Sequence, residues 1–372
     1  MIRAFSLRDL ALLRRLSGQS TLLHAESALT RNWQPLRGAL FSMIGYGDAT
    51  TYVWRDDDGK DAGFAQVELR ADQSIAHLLC VSATAAGEDA QSGDGKSPPP
   101  LNENAWLALL DGVVGALGRR GAHSIVAETD EMSPELILLR HAGFAIYTRQ
   151  DIWALTGAPS EESEPILRPL AAADEWDVEW LYANTVPPLI QMVEPSPPRD
   201  GNIWVLFEEG ELTAFVDIQN GATASWLQLF IHPNASAHTG QIIAAAVRLC
   251  DVGVEHPVYC CVRRYQSWVS HTLEQMGFRL ASSQAVMVRH IAVPVKAASA
   301  RLARVPRSAQ ARASTLLQRN YMPALETAGH RAVGSGGHRV RAPIDRCSAS
   351  FKTVKTCSRL TLTETNDSRE GK

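Results

Sequence analysis

An internal repeat constrains this chain more than any other feature, because each copy must build its own core and whole fold classes drop out together. Two helices end on related tetrapeptides, His141-Ala142-Gly143-Phe144 and Gln275-Met276-Gly277-Phe278, at an offset of 134 residues. The residues leading into the preceding strands, His123 and Pro257, share that offset.

The order of elements repeats as well. A short strand and a helix open each copy: Ile2-Arg3-Ala4, then a helix with Ser6 as N-cap, Leu10, Leu13 and Leu16 inward and Gly18 at its end; and Ile166 to Leu170, then Trp176, Val178, Leu181 and Tyr182. Two hairpins follow, Thr51–Trp54 with Gly63–Leu69 around Asp58-Gly59, and Ile203–Phe207 with Leu212–Ile218 around Glu209-Gly210. Central strands Ile75–Val81 and Ser225–Ile231 come next. Helices with one apolar face follow, through Trp106, Leu109, Leu110, Val113 and Leu117, and through Ile242, Ile243, Ala246 and Val247. Short buried strands at Ser124–Ala127 and Val258–Val262 lead to the Gly-Phe helices, and closing strands at Tyr147–Leu155 and Gln284–Val293 end each copy. The fold class expected is α/β, with two tandem domains, each a mixed, mostly antiparallel sheet flanked by helices.

The domains run over residues 1–156 and 166–295. They are joined by a Pro/Ser/Glu linker at 157–165, with a polar insertion at 84–104 and a tail at 296–372. That tail carries 15 Lys+Arg against 5 Asp+Glu, in a chain whose total formal charge is −4. Few aromatics interleave with its arginines, so it reads as a solvated basic tail and nucleic acid is not expected as a partner. No run approaches 18 apolar residues, and charge at Arg3 comes too early for a signal peptide, so a cytoplasmic protein away from membranes is expected. The six cysteines lack metal-ligand spacing, and no metal site is expected. Nor does any G-x-S-x-G, P-loop or H-E-x-x-H pattern occur. A homodimer is left open.

The order β-α-β-β-β-α-β-α-β, with Ile2-Arg3 and Leu167-Arg168-Pro169 opening each copy and Ala142-Gly143-Phe144 and Met276-Gly277-Phe278 near the close, resembles the GNAT acetyltransferase superfamily, twice in tandem. The resemblance implies an N-acetyltransferase that uses acetyl-CoA as co-substrate and an amine acceptor of unknown identity. The alternative is an inactive tandem that binds a ligand or partner. It implies a donor site in the second half, with backbone N–H groups of His238, Thr239, Gly240 and Gln241 on the pyrophosphate and the backbone of Leu229, Phe230 and Ile231 along the pantetheine and thioester. Only Gly240 remains of the family's glycine-rich loop, and the first half has no matching loop. The tyrosine that commonly protonates the departing thiolate is replaced by Leu139 and Leu273. Asp217, Tyr265 and Gln266 are the candidate catalytic residues, with Glu128 and Asp130 as further candidate bases and Met192 and Glu194 as candidates to line the acceptor groove.

Overall fold

The computed structural model describes residues 1–43, 49–58, 61–69, 74–85, 102–157, 165–196, 201–250 and 256–291. The turn glycine Gly59, most of the insertion and linker, and the tail with its candidate helix at Ala309–Leu325 lie outside the described residues. All described residues fall in one unit, Met1–Ala297.

The first half runs β1 (Ile2–Ala4), α1 (Leu10–Leu16), β2 (Thr21–Leu22), α2 (Ala25–Thr30), α3 (Pro35–Met43), β3 (Ala49–Arg55), β4 (Asp61–Leu69), β5 (Ile75–Ala85), α4 (Glu103–Arg119), β6 (Ser124–Asp130), α5 (Glu135–His141) and β7 (Ala145–Leu155). The second runs β8 (Arg168–Pro169), α6 (Glu175–Thr185), α7 (Pro188–Gln191), β9 (Ile203–Glu208), β10 (Glu211–Asn220), β11 (Ser225–Ile231), α8 (Thr239–Arg248), β12 (Val258–Arg263), α9 (Val269–Gln275) and β13 (Arg279–His290). In α1 the inward residues are Leu12, Leu13 and Leu16, while Leu10 is exposed. Leu10 is the first residue of the helix, directly after a 3-10 turn at Leu7–Asp9.

The duplication is visible in side-chain chemistry. Arg3 donates two hydrogen bonds of 2.6 Å to the Asp9 carboxylate, which also accepts from the Ser6 N–H. Arg168 grips Asp174 the same way, at 2.6 and 2.9 Å, and the Ala171 N–H completes the pattern. Burial alone would raise the Asp9 carboxyl, but hydrogen bonds from Arg3 and Ser6 outweigh it and hold it low. Asp174 is held low chiefly by Arg168. Folded values below the unfolded ones stabilise the fold above the ordinary carboxylate range, and that stability is lost as pH falls through the lowered values. Urea denaturation between about pH 5 and pH 2 should therefore show stability falling below about pH 4. The D9N/D174N double variant should show a shallower slope, and parallel curves would refute the assignment.

Both Gly-Phe landmarks have a backbone cause. Gly143 and Gly277 adopt φ of 82° and 89°, left-handed values that suit glycine just past a helix. Each turns the chain so that the following N–H, of Phe144 or Phe278, bonds back to the oxygen of Leu139 or Leu273 at 3.0 Å. Both phenylalanines then enter the cores, and both leucines are fully buried.

The sheet order is β1-β3-β4-β5-β6-β13-β7-β12-β11-β10-β9-β8, with β2 beside β5. The closing strands are exchanged. β13 pairs antiparallel with β6 of the first half, and β7 pairs antiparallel with β12 of the second. Ala285 and Met287 consequently fill the core under α4 and α5, while Leu155 joins the core under α8 and α9. One continuous sheet results, and its middle is built from both copies.

Candidate functional site

Parallel strands part in both halves. β5 and β6 pair from Ile75–His77 to Ser124–Val126 and no further, and β11 and β12 pair from Ser225–Gln228 to Val258–Cys261 and no further. Beyond each vertex lies a fork whose peptide groups need partners.

In the first half the chain supplies them itself. A bulge at Leu79 shifts β5 against β4, and β2 then pairs Thr21 with Val81 and Leu22 with Cys80. The Leu23 N–H donates to Leu79 O at 2.8 Å, while its carbonyl accepts from the Glu128 N–H at 2.8 Å. That segment bridges both arms, and its Leu23 side chain is fully buried. In the second half no strand among the described residues lies along the Leu229–Ile231 edge that faces away from β10. This fork stays open.

A cavity of ≈ 60 Å³ lies on the sheet face between the two vertices. His77 and Glu128 reach it from the first half, Gln228, Cys261 and Arg263 from the second, and Gln150 from the exchanged β7. The start of α2 adds His24 and Glu26, and Glu194 follows α7. Arg263 donates to Glu194 at 2.6 Å and to the Gln150 side-chain oxygen at 2.6 Å, yet its Nε finds no partner. Burial opposes its charge, but Glu194 and its neighbours outweigh that and keep the guanidinium protonated beyond its ordinary range. The Tyr147 hydroxyl donates to the same Glu194 carboxylate, and burial followed by that negative neighbour pushes the phenol well above its usual value. The Cys261 thiol, pushed up by burial to about 12, is no nucleophile at neutral pH. Glu128 accepts the Ala25 N–H at 2.7 Å through Oε2.

The candidate residues scatter around this centre. Asp217 stands opposite Gln228 in the β10–β11 ladder and accepts from Gln219 at 2.9 Å, one strand away from the cavity. Tyr265 packs against the cluster around Phe215 and Phe230, and burial raises its phenol above the ordinary range. Gln266 is buried, with its Nε2 unpartnered. Leu229 and Ile231 point at the core beneath α8, while Phe230 stacks on Phe215 at 4.3 Å on the opposite face. Glu194 lines the cavity, Met192 is exposed, and Asp130 instead accepts the Met132 N–H. Residue-type reasoning missed Arg263, Gln150, His77 and Gln228. An arginine closing the apolar run Val258–Val262 was the one available signal, since a charge there requires a buried partner.

The acetyl-CoA implied by the resemblance fits the open Leu229–Ile231 edge, where an extended amide-bearing arm can satisfy strand N–H and C=O groups. The phosphate end has less to hold it. A 3-10 turn at Pro233–His238 runs straight into α8, and the Thr239 N–H already donates to Ser236 O. The His238 Nδ1 lies against the Glu208 carboxylate. A groove beside that turn presents Asp177, Glu208, Glu209 and Glu211 and has no lysine or arginine in its lining. A Cβ at Gly240 would meet only Thr272 Cγ2, at 3.6 Å, so the space over the first turn of α8 is open.

No family model matches the chain, and no curated protein matches it. Among solved structures, a GCN5-related N-acetyltransferase from Sphaerobacter thermophilus is 15% identical, over 78% of this chain and 95% of that one, with a TM-score of 0.44. A tandem GNAT protein from the clavulanic acid biosynthesis pathway is 10% identical, over 78% and 98%, with a TM-score of 0.42. A GNAT-family acetyltransferase from Colwellia psychrerythraea is 12% identical, over 78% and 100%, with a TM-score of 0.38. No helix among the described residues is long and apolar enough to cross a membrane. In element order and strand pairing, with two forks in one sheet and exchanged closing strands, the described residues resemble two GNAT units in tandem.

Proposed function

We propose that this chain is an N-acyltransferase working through its second half, with acetyl-CoA as co-substrate and a small amine as acceptor. One observation carries the reading: the polar cavity between the halves reaches the vertex where β11 and β12 part, so an acyl group lying along Leu229–Ile231 would meet an acceptor held there. A bound thioester supplies the activated acetyl group. The chain's residues do the rest: the open strand edge orients the donor arm, Arg263 and Tyr147 hold Glu194 in place, and Glu128 Oε1 takes the ammonium proton before attack. Leu139 and Leu273 offer no proton, so the thiolate leaves without a side-chain acid at the family's usual position.

Incubation with acetyl-CoA and a panel of small amines should release free thiol. The Gly240→Glu variant, which adds a charge where space is open, should raise the apparent KM for the donor about tenfold or more. A folded protein that binds neither acetyl-CoA nor releases thiol with any amine would overturn the reading. A second reading, ligand binding without chemistry, is favoured by Glu208 at the α8 tip and by the leucines at 139 and 273. Amine binding with no thiol release would decide for it.

A further inference from the structure

The cavity's charge is unbalanced. Three carboxylates, Glu26, Glu128 and Glu194, line it with one guanidinium, Arg263, and two imidazoles, His24 and His77. Glu194 is ion-paired with Arg263. Neither Glu26 nor Glu128 has an ion pair among the described residues. The first half places both: Glu128 lies at the vertex of the plugged fork, and Glu26 follows the same segment, whose next N–H, that of Ala25, is held by Glu128. A buried donor also stands unmet, since Arg263 Nε lacks a partner on a side chain that lines the cavity and is 8% exposed overall. Leaving such a group unsatisfied is costly, which favours a ligand bearing an acceptor atom.

We propose that the plugged first half sets the ligand specificity of the central cavity, and that the cavity takes a small ammonium carrying an oxygen acceptor, of the size and chemistry of ethanolamine. The ammonium sits against Glu26 and Glu128, and the oxygen lies against the Arg263 guanidinium. A volume of ≈ 60 Å³ limits the ligand, because about 10–15 Å³ of such space holds one water. Four or five non-hydrogen atoms, roughly, are therefore accommodated. The proposal deepens the acyl-transfer reading by naming its acceptor class, and it rests on that reading only for the step after binding.

The test is calorimetric titration of the full chain in the absence of any acyl donor, with ethanolamine, ethylammonium, ethylene glycol and hexylammonium as probes. Ethanolamine should bind best. Ethylene glycol and hexylammonium should bind at least tenfold more weakly, and ethylammonium several-fold more weakly. E128Q, which keeps an oxygen for the Ala25 N–H, and E26Q, on a half-exposed side chain, should each weaken ethanolamine binding about tenfold while leaving the thermal unfolding midpoint nearly unchanged. Equal affinity for ethylene glycol, or unaltered binding in both variants, would overturn the charge assignment. Equal affinity for ethylammonium would overturn the role of Arg263, and no ethanolamine binding to folded protein would overturn the whole proposal. Because no donor is present, binding without later acyl transfer would count against the enzymatic reading alone.

Discussion

Replacing Arg263 with methionine is expected to lower the unfolding free energy by about 3–5 kcal/mol, the usual cost of breaking a buried pair by removing one partner. Its side chain is 10% exposed and that of Glu194 is 18% exposed, so water cannot readily take over the lost contacts. Two groups would lose their arginine donor at once: the Glu194 carboxylate would keep only the Tyr147 hydroxyl and no counter-charge, and the Gln150 oxygen would keep only the Cys261 thiol, which donates to it at 3.3 Å. The carboxylate dominates, because an unpaired buried charge costs more than an unpaired amide. Adding E194Q to the methionine variant removes that charge and should recover a substantial part of the loss. Urea denaturation of the single and double variants measures both quantities. A single-variant cost under about 1 kcal/mol would mean that the pair is solvated as surface pairs are.

The second large effect is expected at Gly221, where the halves meet away from the sheet. A Cβ there would stand 2.2 Å from Thr30 O and 2.5 Å from Thr30 Cβ. Alanine cannot be accepted unless the end of α2 moves, because the obstacle is partly backbone. The same contact is stitched by the Thr223 N–H to Thr30 O at 3.1 Å and by the Thr223 hydroxyl to Leu29 O at 2.8 Å. Gly221→Ala should cost about 1–3 kcal/mol as an overpacking change. It should also weaken ethanolamine binding, because α2 carries Glu26 into the cavity. A variant as stable as the parent would show that this junction is loosely packed.

Acid sensitivity from the Arg3–Asp9 and Arg168–Asp174 pairs is a separate, smaller effect. The four groups lie at the outer strands β1 and β8, far along the sheet order from the β7–β12 pair that holds Gln150 and Arg263. Substitutions at the two places should therefore be nearly additive.

The repeat, the succession of the main strands and helices, the Gly-Phe helix ends and the apolar faces of α4 and α8 were legible in the sequence, whereas β2, α2, α3 and α7 were not. Each depends on local periodicity or on one backbone conformation: Gly143 and Gly277 mark left-handed turns whatever surrounds them. The parting of β11 from β12 beyond Gln228 came from the strand pairing. Even so, equal offsets conceal a difference of phase. Ile125 faces the core under α4, whereas Tyr259, its counterpart at the 134 offset, packs on the opposite face beside Trp226 and Cys261.

Only the tertiary structure decided the exchange of β7 and β13, the plugging of the first fork by Leu23, and the cavity that draws on both copies. Strand exchange is invisible to a pattern of periods, because β13 would read the same in either sheet. The cavity gathers residues as distant in sequence as His24 and Arg263. Their meeting depends on which strand edges find partners, and backbone hydrogen bonding sets that across the whole sheet.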